Sequence, residues 1–352
     1  MKDQLSAIRS QLVAFLEQYL SQIASQFPHL EPSISQVSQQ LLTFSTSGKM
    51  LRGAMTVMVY QMHGGQLLPE AIKAGAALEL FQSTLLIHDD IMDQDRMRRD
   101  QLSVYAQYEE QALKNNYRQP AHFGISMGIC VGDIALFMVQ DILASVKIGD
   151  DILAPVFRLL AKESIGTGLA QMMDTENGLS THIPSVEEVR AVNIHKTARY
   201  TFCLPFMLGA TLAGQSTPVV DKWAQLGETL GLLFQIKDDE LGLFGKSAEI
   251  GKPAGSDIRE HKKTLYYVYL MAAAEPAVKQ KLVSIFGNPN LDEEMIEYVR
   301  EQVMKVGAKA KVDAELTALE SQSYAHIDQL AVADEYKAAL RQFVQFNLLR
   351  KR

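Results

Sequence analysis

The stretch LELFQSTLLIHDDIMDQDRMRRD, residues 78–100, changes character abruptly at its midpoint. A nearly unbroken apolar run leads into Asp89, Asp90, Asp93 and Asp95, and Arg96, Arg98 and Arg99 follow at once. Asp and Arg are rarely buried without partners. The apolar approach implies a helix that is buried until the acids appear. On such a helix Asp89 and Asp93 share one face, about 6 Å apart along the axis. Carboxylates that close repel unless a cation lies between them. Oxygen ligands without His or Cys point to a hard ion, Mg²⁺ before zinc, and Mg²⁺ takes one or two carboxylates together with water and substrate phosphate. The pattern therefore suits a metal-bridged diphosphate. The competing reading is a solvated acidic helix end.

A second apolar run ends the same way in FQIKDDELGLFG, residues 234–245, with Asp238 and Asp239. Recurrence weakens the solvated reading, and two carboxylate walls facing across a helical bundle are expected to hold a multi-metal diphosphate site. Bases stand at five places in all: Lys49 and Arg52 in SGKMLRG, Arg98 and Arg99, Lys196 in HKTARY, Lys252 in GKPAGSD, and Lys262 in HKKTL. Each alone reads as a surface charge. Together they supply forked and point contacts to phosphate.

The rest of the chain is helical in pattern. Leu5, Ile8, Leu12, Leu16 and Leu20 recur at three and four residues, and similar stripes continue to the end. Alternating β-branched runs are nearly absent. Turn signals such as HGGQLLPE, YRQPAHFG and FGNPNLDEE divide ten or more helices, and Ser185 with Glu188 in IPSVEEV forms a helix-start signature. No linker or change in composition interrupts them, so the expectation is all-α, one large helical bundle over residues 1–352. With 47% hydrophobic and 21% charged residues the chain has ample core material. A net charge of −7 argues against nucleic acid as a partner. Two cysteines without a CxxC indicate a reducing, cytoplasmic compartment. The N-terminus lacks the pattern of a signal peptide. No unbroken run of 18 apolar residues occurs, so no membrane span is expected.

The segments GKMLRG, LLIHDDIMD…RRD, GICVGD, QMMD, HKTA, FQIKDDELG and GKPAGSDIREHKKTL resemble, in order and spacing, the trans-isoprenyl diphosphate synthases. The resemblance runs from Lys49 to about Leu265. It implies the type I isoprenoid synthase fold with a deep central cavity, a homodimer, and head-to-tail condensation of isopentenyl diphosphate with an allylic diphosphate (dimethylallyl, geranyl or farnesyl). It further implies that Asp89, Asp93 and Asp238 hold Mg²⁺, three ions in all, with Asp90 and Asp239 in support. Arg98, Lys196, Thr197, Gln235, Lys252 and Lys262 match positions that grip the allylic diphosphate. Lys49, Arg52, Gln82 and Arg99 match those that grip isopentenyl diphosphate, and Gln171 with Asp174 matches a polar pair at the reaction centre. The terminal Arg350–Lys351–Arg352 reads either as a basic tail closing over the site or as a frayed end. In the implied mechanism, Mg²⁺ and bases stabilise the departing diphosphate, the double bond of isopentenyl diphosphate attacks the allylic cation, and a proton leaves.

The chain departs from the family pattern in three places. Gly242 stands where the second motif often has a third aspartate, and little change is expected from Gly242→Asp. Gln82 takes a position that is often His. After Arg99, Asp100 and Gln101 replace the usual Gly, which bears on the shape of that loop. Product length in the family depends on the residues before the first aspartates. Thr84 and Leu85 are not aromatic, and Phe81, one turn deeper, is either the floor of the hydrocarbon pocket or ordinary core. The expected product is geranylgeranyl diphosphate (C20), with farnesyl diphosphate or a longer chain as alternatives. A class I terpene cyclase would need an Asn/Asp–Ser/Thr–Glu motif that is absent, and a non-catalytic partner subunit would be expected to have lost the first aspartates.

Overall fold

The computed structural model describes residues 2–245 and 255–350. Lys252 falls outside them, as do Lys351 and Arg352. The chain is all-α, and among the described residues the only strands are β1 (Met97–Arg98) and β2 (Gln101–Leu102), paired antiparallel. Two compact units emerge: residues 1–158 with 208–215, and residues 159–207 with 216–352.

The first unit holds α1 (Lys2–Gln26), α2 (Ser33–Thr46), α3 (Leu51–Met62), α4 (Leu68–Met92), α5 (Val104–Lys114) and α6 (Pro120–Ala144). Helix α4 is its axis and packs against each of the other five. Its residues from Ala71 to Thr84 are buried almost without interruption except Lys73, because a helix apolar on every face must be covered on every face. Small side chains at Ala74, Gly75, Ala76 and Ala77 let α3 approach closely: a Cβ on Gly53 would lie 2.6 Å from the Gly75 carbonyl oxygen.

Helix α6 bears on the expectation that nothing spans a membrane. It is long and apolar enough to cross a membrane by length and composition, with 44% of its most apolar window buried. Asp133 and several small residues interrupt it, so it does not read as an unbroken apolar run although its mean hydropathy is high. One side packs on α4 and α5, while Ile125, Ile129, Ile134 and Phe137 are exposed.

The second unit contains most of α7 (Asp150–Leu179), α8 (Val186–Val192), a π-helical segment (Asn193–Cys203) and the start of α9 (Leu204–Leu212). After it come α10 (Thr217–Phe244), the short α11 (Ser256–Arg259) and α12 (Leu265–Ala273). The last four are α13 (Pro276–Ile285), α14 (Glu293–Lys305), α15 (Ala308–Asp328) and α16 (Asp334–Leu349). The capping box read at Ser185 forms as expected, with Ser185 Oγ accepting from the Glu188 N–H and the Glu188 carboxylate accepting from the Ser185 N–H. Helix α10 packs against the π segment, α15 and α16. Trp223, fully buried, meets Phe206 at 5.3 Å between ring centroids, and Phe202 meets Phe234 at 5.4 Å.

Candidate active site

In the first unit, α4 ends where its acids begin. Asp93 is not within the helix but is its C-cap, with its N–H donating to the Asp89 carbonyl oxygen at 2.8 Å. Asp90, one residue on from Asp89, points inward and is fully buried. Arg98 answers it: Nε donates to Asp90 Oδ1 at 2.7 Å, Nη2 bonds the same oxygen, and Nη2 also lies 3.6 Å from Asp89 Oδ2 and 3.4 Å from Asp95 Oδ2. Burial lifts the Asp90 carboxyl to about 6 against the opposing pull of Arg98. Its Oδ2 is buried with no hydrogen-bond partner among the described residues.

The hairpin explains how adjacent arginines serve different places. Arg99 and Asp100 form its two-residue turn, both with positive φ (53° and 62°), between the pairs Met97–Leu102 and Arg98–Gln101. A tight reversal with both central residues left-handed matches the twist of the strands, and favours Gly that this sequence lacks. The turn sends Arg98 to the aspartates. Arg99 instead donates to the Phe44 carbonyl oxygen (3.1 Å) and Ser47 Oγ (2.9 Å). Gly48 permits this approach, since a Cβ there would stand 3.0 Å from the Arg99 guanidinium nitrogens. Asp95 and Arg96, for which the sequence suggests no role, are also engaged: Arg96 pairs with Glu109 and, at 3.2 Å, Glu110 on α5.

Arg99 thereby lines a cavity of about 670 Å³ with Lys49, Arg52 and Gln82, the four residues matched to the isopentenyl diphosphate site. Gln82 Oε1 is buried without a hydrogen-bond partner among the described residues. Two cavity residues escape a reading by motif. Arg9 arrives from α1, held by a 2.8 Å bond from Nη2 to the Thr46 carbonyl oxygen, and nothing near it in sequence marks it. Glu79, the other, is a charge inside an apolar run, a signal visible in the sequence. Phe81 and Thr84 are both 3% exposed on α4, and Leu85 is half-buried.

In the second unit, the π segment carries Lys196 and Thr197. π-Helical turns are rare and concentrate at functional sites. Lys196 Nζ pairs with Asp174 on α7. Thr197 Oγ1 donates to Gln235 Oε1 (2.9 Å), and Gln235 Nε2 donates to Asp239 Oδ1 (2.7 Å). Five sequence-marked residues thus fall into two linked groups, while Gln171 Nε2 is buried with no partner among the described residues. One turn past Lys196, buried Glu163 grips Arg199, and Glu228 stands 3.4 Å away. This ion pair ties the π segment to α7.

The double aspartate on α10 is unequal. Asp238 is exposed, and Arg350 Nη2 reaches its Oδ1 at 3.0 Å while bonding the Phe234 carbonyl oxygen (2.9 Å) and lying 3.9 Å over the Phe234 ring. Arg350 is therefore docked, not frayed. Asp239 is buried, and burial, with Asp257 next, raises its carboxyl well above the usual range. Lys262 lies 3.6 Å from Asp257 and 2.9 Å from Glu260. Glu240 turns away to Lys237 (2.9 Å) and Lys309 (3.3 Å). Gly242, where a third aspartate is often found, lies against the Asp257 side chain. A Cβ on Gly242 would overlap Asp257 Oδ2 and come within 2.7 Å of its Cγ, so Gly242 is what admits Asp257 beside the second motif.

The donor chemistry suits Mg²⁺. Both motifs offer carboxylate oxygens, the donors a hard ion takes, although no group of three or more His, Cys, Asp or Glu that could hold a metal ion occurs among the described residues. Mg²⁺ takes one or two carboxylates and completes its shell with water and phosphate.

Residues 31–303 match the polyprenyl synthetase family. The chain belongs to that family. It is 31% identical to a short chain isoprenyl diphosphate synthase of Methanocaldococcus jannaschii over 71% of this chain and 70% of that one. It is 32% identical to a geranylgeranyl diphosphate synthase of Saccharolobus solfataricus over 74% of each. A crystal structure of geranylgeranyl pyrophosphate synthase from Corynebacterium glutamicum, complexed with isoprenyl diphosphate and magnesium, superimposes with a TM-score of 0.89. It covers 99% of this chain and 98% of that one at 29% identity. Membership makes this polyprenyl synthetase a prenyltransferase. Synthases of farnesyl and nonaprenyl diphosphate are also among its relatives, so family membership leaves product length open.

Proposed function

We propose that this polyprenyl synthetase condenses isopentenyl diphosphate head to tail with dimethylallyl, geranyl and farnesyl diphosphates, giving geranylgeranyl diphosphate as its main product. The observation that carries this reading is the division of charge within the first unit. One turn of hairpin sets Arg98 among Asp89, Asp90 and Asp95 and sets Arg99 in the basic cavity with Lys49 and Arg52. An acidic cluster suits a diphosphate held through metal, whereas a basic cavity suits one held directly.

In this reading Asp89, Asp93 and Asp238 hold the Mg²⁺, which when bound neutralises charge developing on the departing allylic diphosphate. Lys196, Thr197, Gln235, Lys252 and Lys262 grip that diphosphate, with Lys196 oriented by Asp174 and Gln235 by Asp239. Lys49, Arg52, Gln82 and Arg99 hold isopentenyl diphosphate so that its double bond faces the cationic carbon. The apolar side of α4 around Phe81 and Thr84 receives the growing chain and excludes water, which would quench the cation. The nucleophile is the double bond itself, and the proton lost at the end passes to released diphosphate, so neither a protein nucleophile nor a protein base is required. Thr84 and Leu85, neither of them aromatic, leave the first turn before the aspartates open to a chain of C20.

We take the chain to act as one catalytic domain and as a homodimer, with the exposed apolar face of α6 as the candidate seam. The test is incubation of purified protein with Mg²⁺, labelled isopentenyl diphosphate and each allylic starter, followed by sizing of the products. C20 product supports the reading, C15 moves it to a farnesyl synthase, and no incorporation with any starter removes it.

A further inference from the structure

We propose that Glu79 is a positioning residue for the basic cavity: its buried carboxylate holds Arg52, Arg99 and the first turn of α3 in the arrangement that receives the diphosphate of isopentenyl diphosphate. The inference rests on the function proposed above and deepens it.

Helix α3 begins without a side-chain cap. Its N-cap is Met50, left-handed at φ 52° and buried, which offers no oxygen to the helix's free N–H groups. Uncapped N–H groups at a buried helix start need an acceptor from elsewhere. Glu79 supplies it from α4: Oε1 accepts from the Gly53 N–H at 2.7 Å, and the Arg52 N–H also bears on the carboxylate. A negative group at this end also complements the helix dipole.

The same carboxylate faces the cavity. Of the ten residues lining it, four are basic (Arg9, Lys49, Arg52 and Arg99) and Glu79 is the one acid. Only 5% of Glu79 is exposed. Burial pushes its carboxyl up, and the opposing influences come from Gly53, Arg52 and Arg99. A buried charge persists only where it is paired and hydrogen-bonded. Here the hydrogen-bonded partner is the backbone that sets the direction of α3, and Arg52 and Arg99 line the same cavity close enough to favour the charged carboxylate. Without Glu79 the positive charges of Arg52 and Arg99 would face each other with no acid in the cavity to offset them.

Two rival roles make different predictions. A plain helix cap needs an acceptor but no charge. A competitor for the arginines would weaken substrate binding, so its loss would tighten it. Glu79→Gln separates them, because it keeps an oxygen for Gly53 and removes the charge. Initial rates at varied isopentenyl and allylic diphosphate, with calorimetry of isopentenyl diphosphate binding in the absence of allylic substrate, are the readouts. The expected result is a rise of about tenfold or more in both KM and Kd for isopentenyl diphosphate, with KM for the allylic substrate unchanged. An unchanged or lowered value, or equal rises for both substrates, overturns the proposal. If Glu79→Gln does not fold, Glu79→Asp decides by the same measurement: a rise confined to isopentenyl diphosphate supports the role, and an unselective one refutes it. A wild-type protein that binds isopentenyl diphosphate without turning it over would sink the proposed reaction alone, since the calorimetry still reads Glu79.

Discussion

Asp89 and Asp90 are neighbours in sequence with opposite situations. Asp89 keeps 21% of its side chain exposed at the end of α4, whereas Asp90 is fully buried against Arg98. The first can reach a ligand and the second holds the base that follows. Asp89→Ala is therefore expected to lower turnover by about 10²–10³-fold with little change in melting temperature. A mild effect would mean that the metal is held elsewhere. Gly242→Ala tests the second motif: moving Asp257 should raise the Mg²⁺ concentration for half-maximal turnover several-fold, and an identical Mg²⁺ titration would count against a role for that contact. The aspartates were legible because their spacing is local. Arg9 and Asp257 were not, because they reach their neighbours across turns of chain that no spacing rule connects.

Helix α4 shows what an element adds. Its burial on every face followed from its composition, but whether Phe81 ends the hydrocarbon pocket is a matter of what packs beyond it. Phe81→Ala is expected to lengthen the products by one isoprene unit or more on chromatography, and an unchanged ladder would assign Phe81 to the core. Helix α3 ends at His63, whose imidazole burial holds below its ordinary value of 6.5. The unfolded chain then takes up a proton near pH 6.5 that the folded chain resists, so this group costs no stability above that pH and destabilises the fold progressively below it. His63→Gln should flatten the loss of stability between pH 7.5 and about 5.5 in urea unfolding. An equal loss in wild type and variant would place the titration elsewhere. The start of α8 at Ser185 was readable in advance because a capping box is a four-residue event, whereas the π-helical segment after it was not, being fixed by contacts with α7 and α10.

At the scale of the whole molecule, the proposed homodimer can be tested on the apolar stripe of α6. Phe137 is 67% exposed, with Ile125 and Ile129 on the same helix. Phe137→Glu is expected to convert a dimer to a monomer in sedimentation without loss of helicity, and a wild-type protein that sediments as a monomer would remove the dimer. The helical class, the family and the two acidic motifs were all contained in the order of residues, because periodicity and short-range spacing act along the chain and need no folded partner. Folding was needed to make Asp93 a cap, to send Arg98 and Arg99 to different sites, to bring Arg9 and Glu79 into one cavity, and to place Asp257 where Gly242 leaves room. Those outcomes depend on contacts between segments far apart in sequence, and such contacts are set by packing of the whole core and not by any local preference.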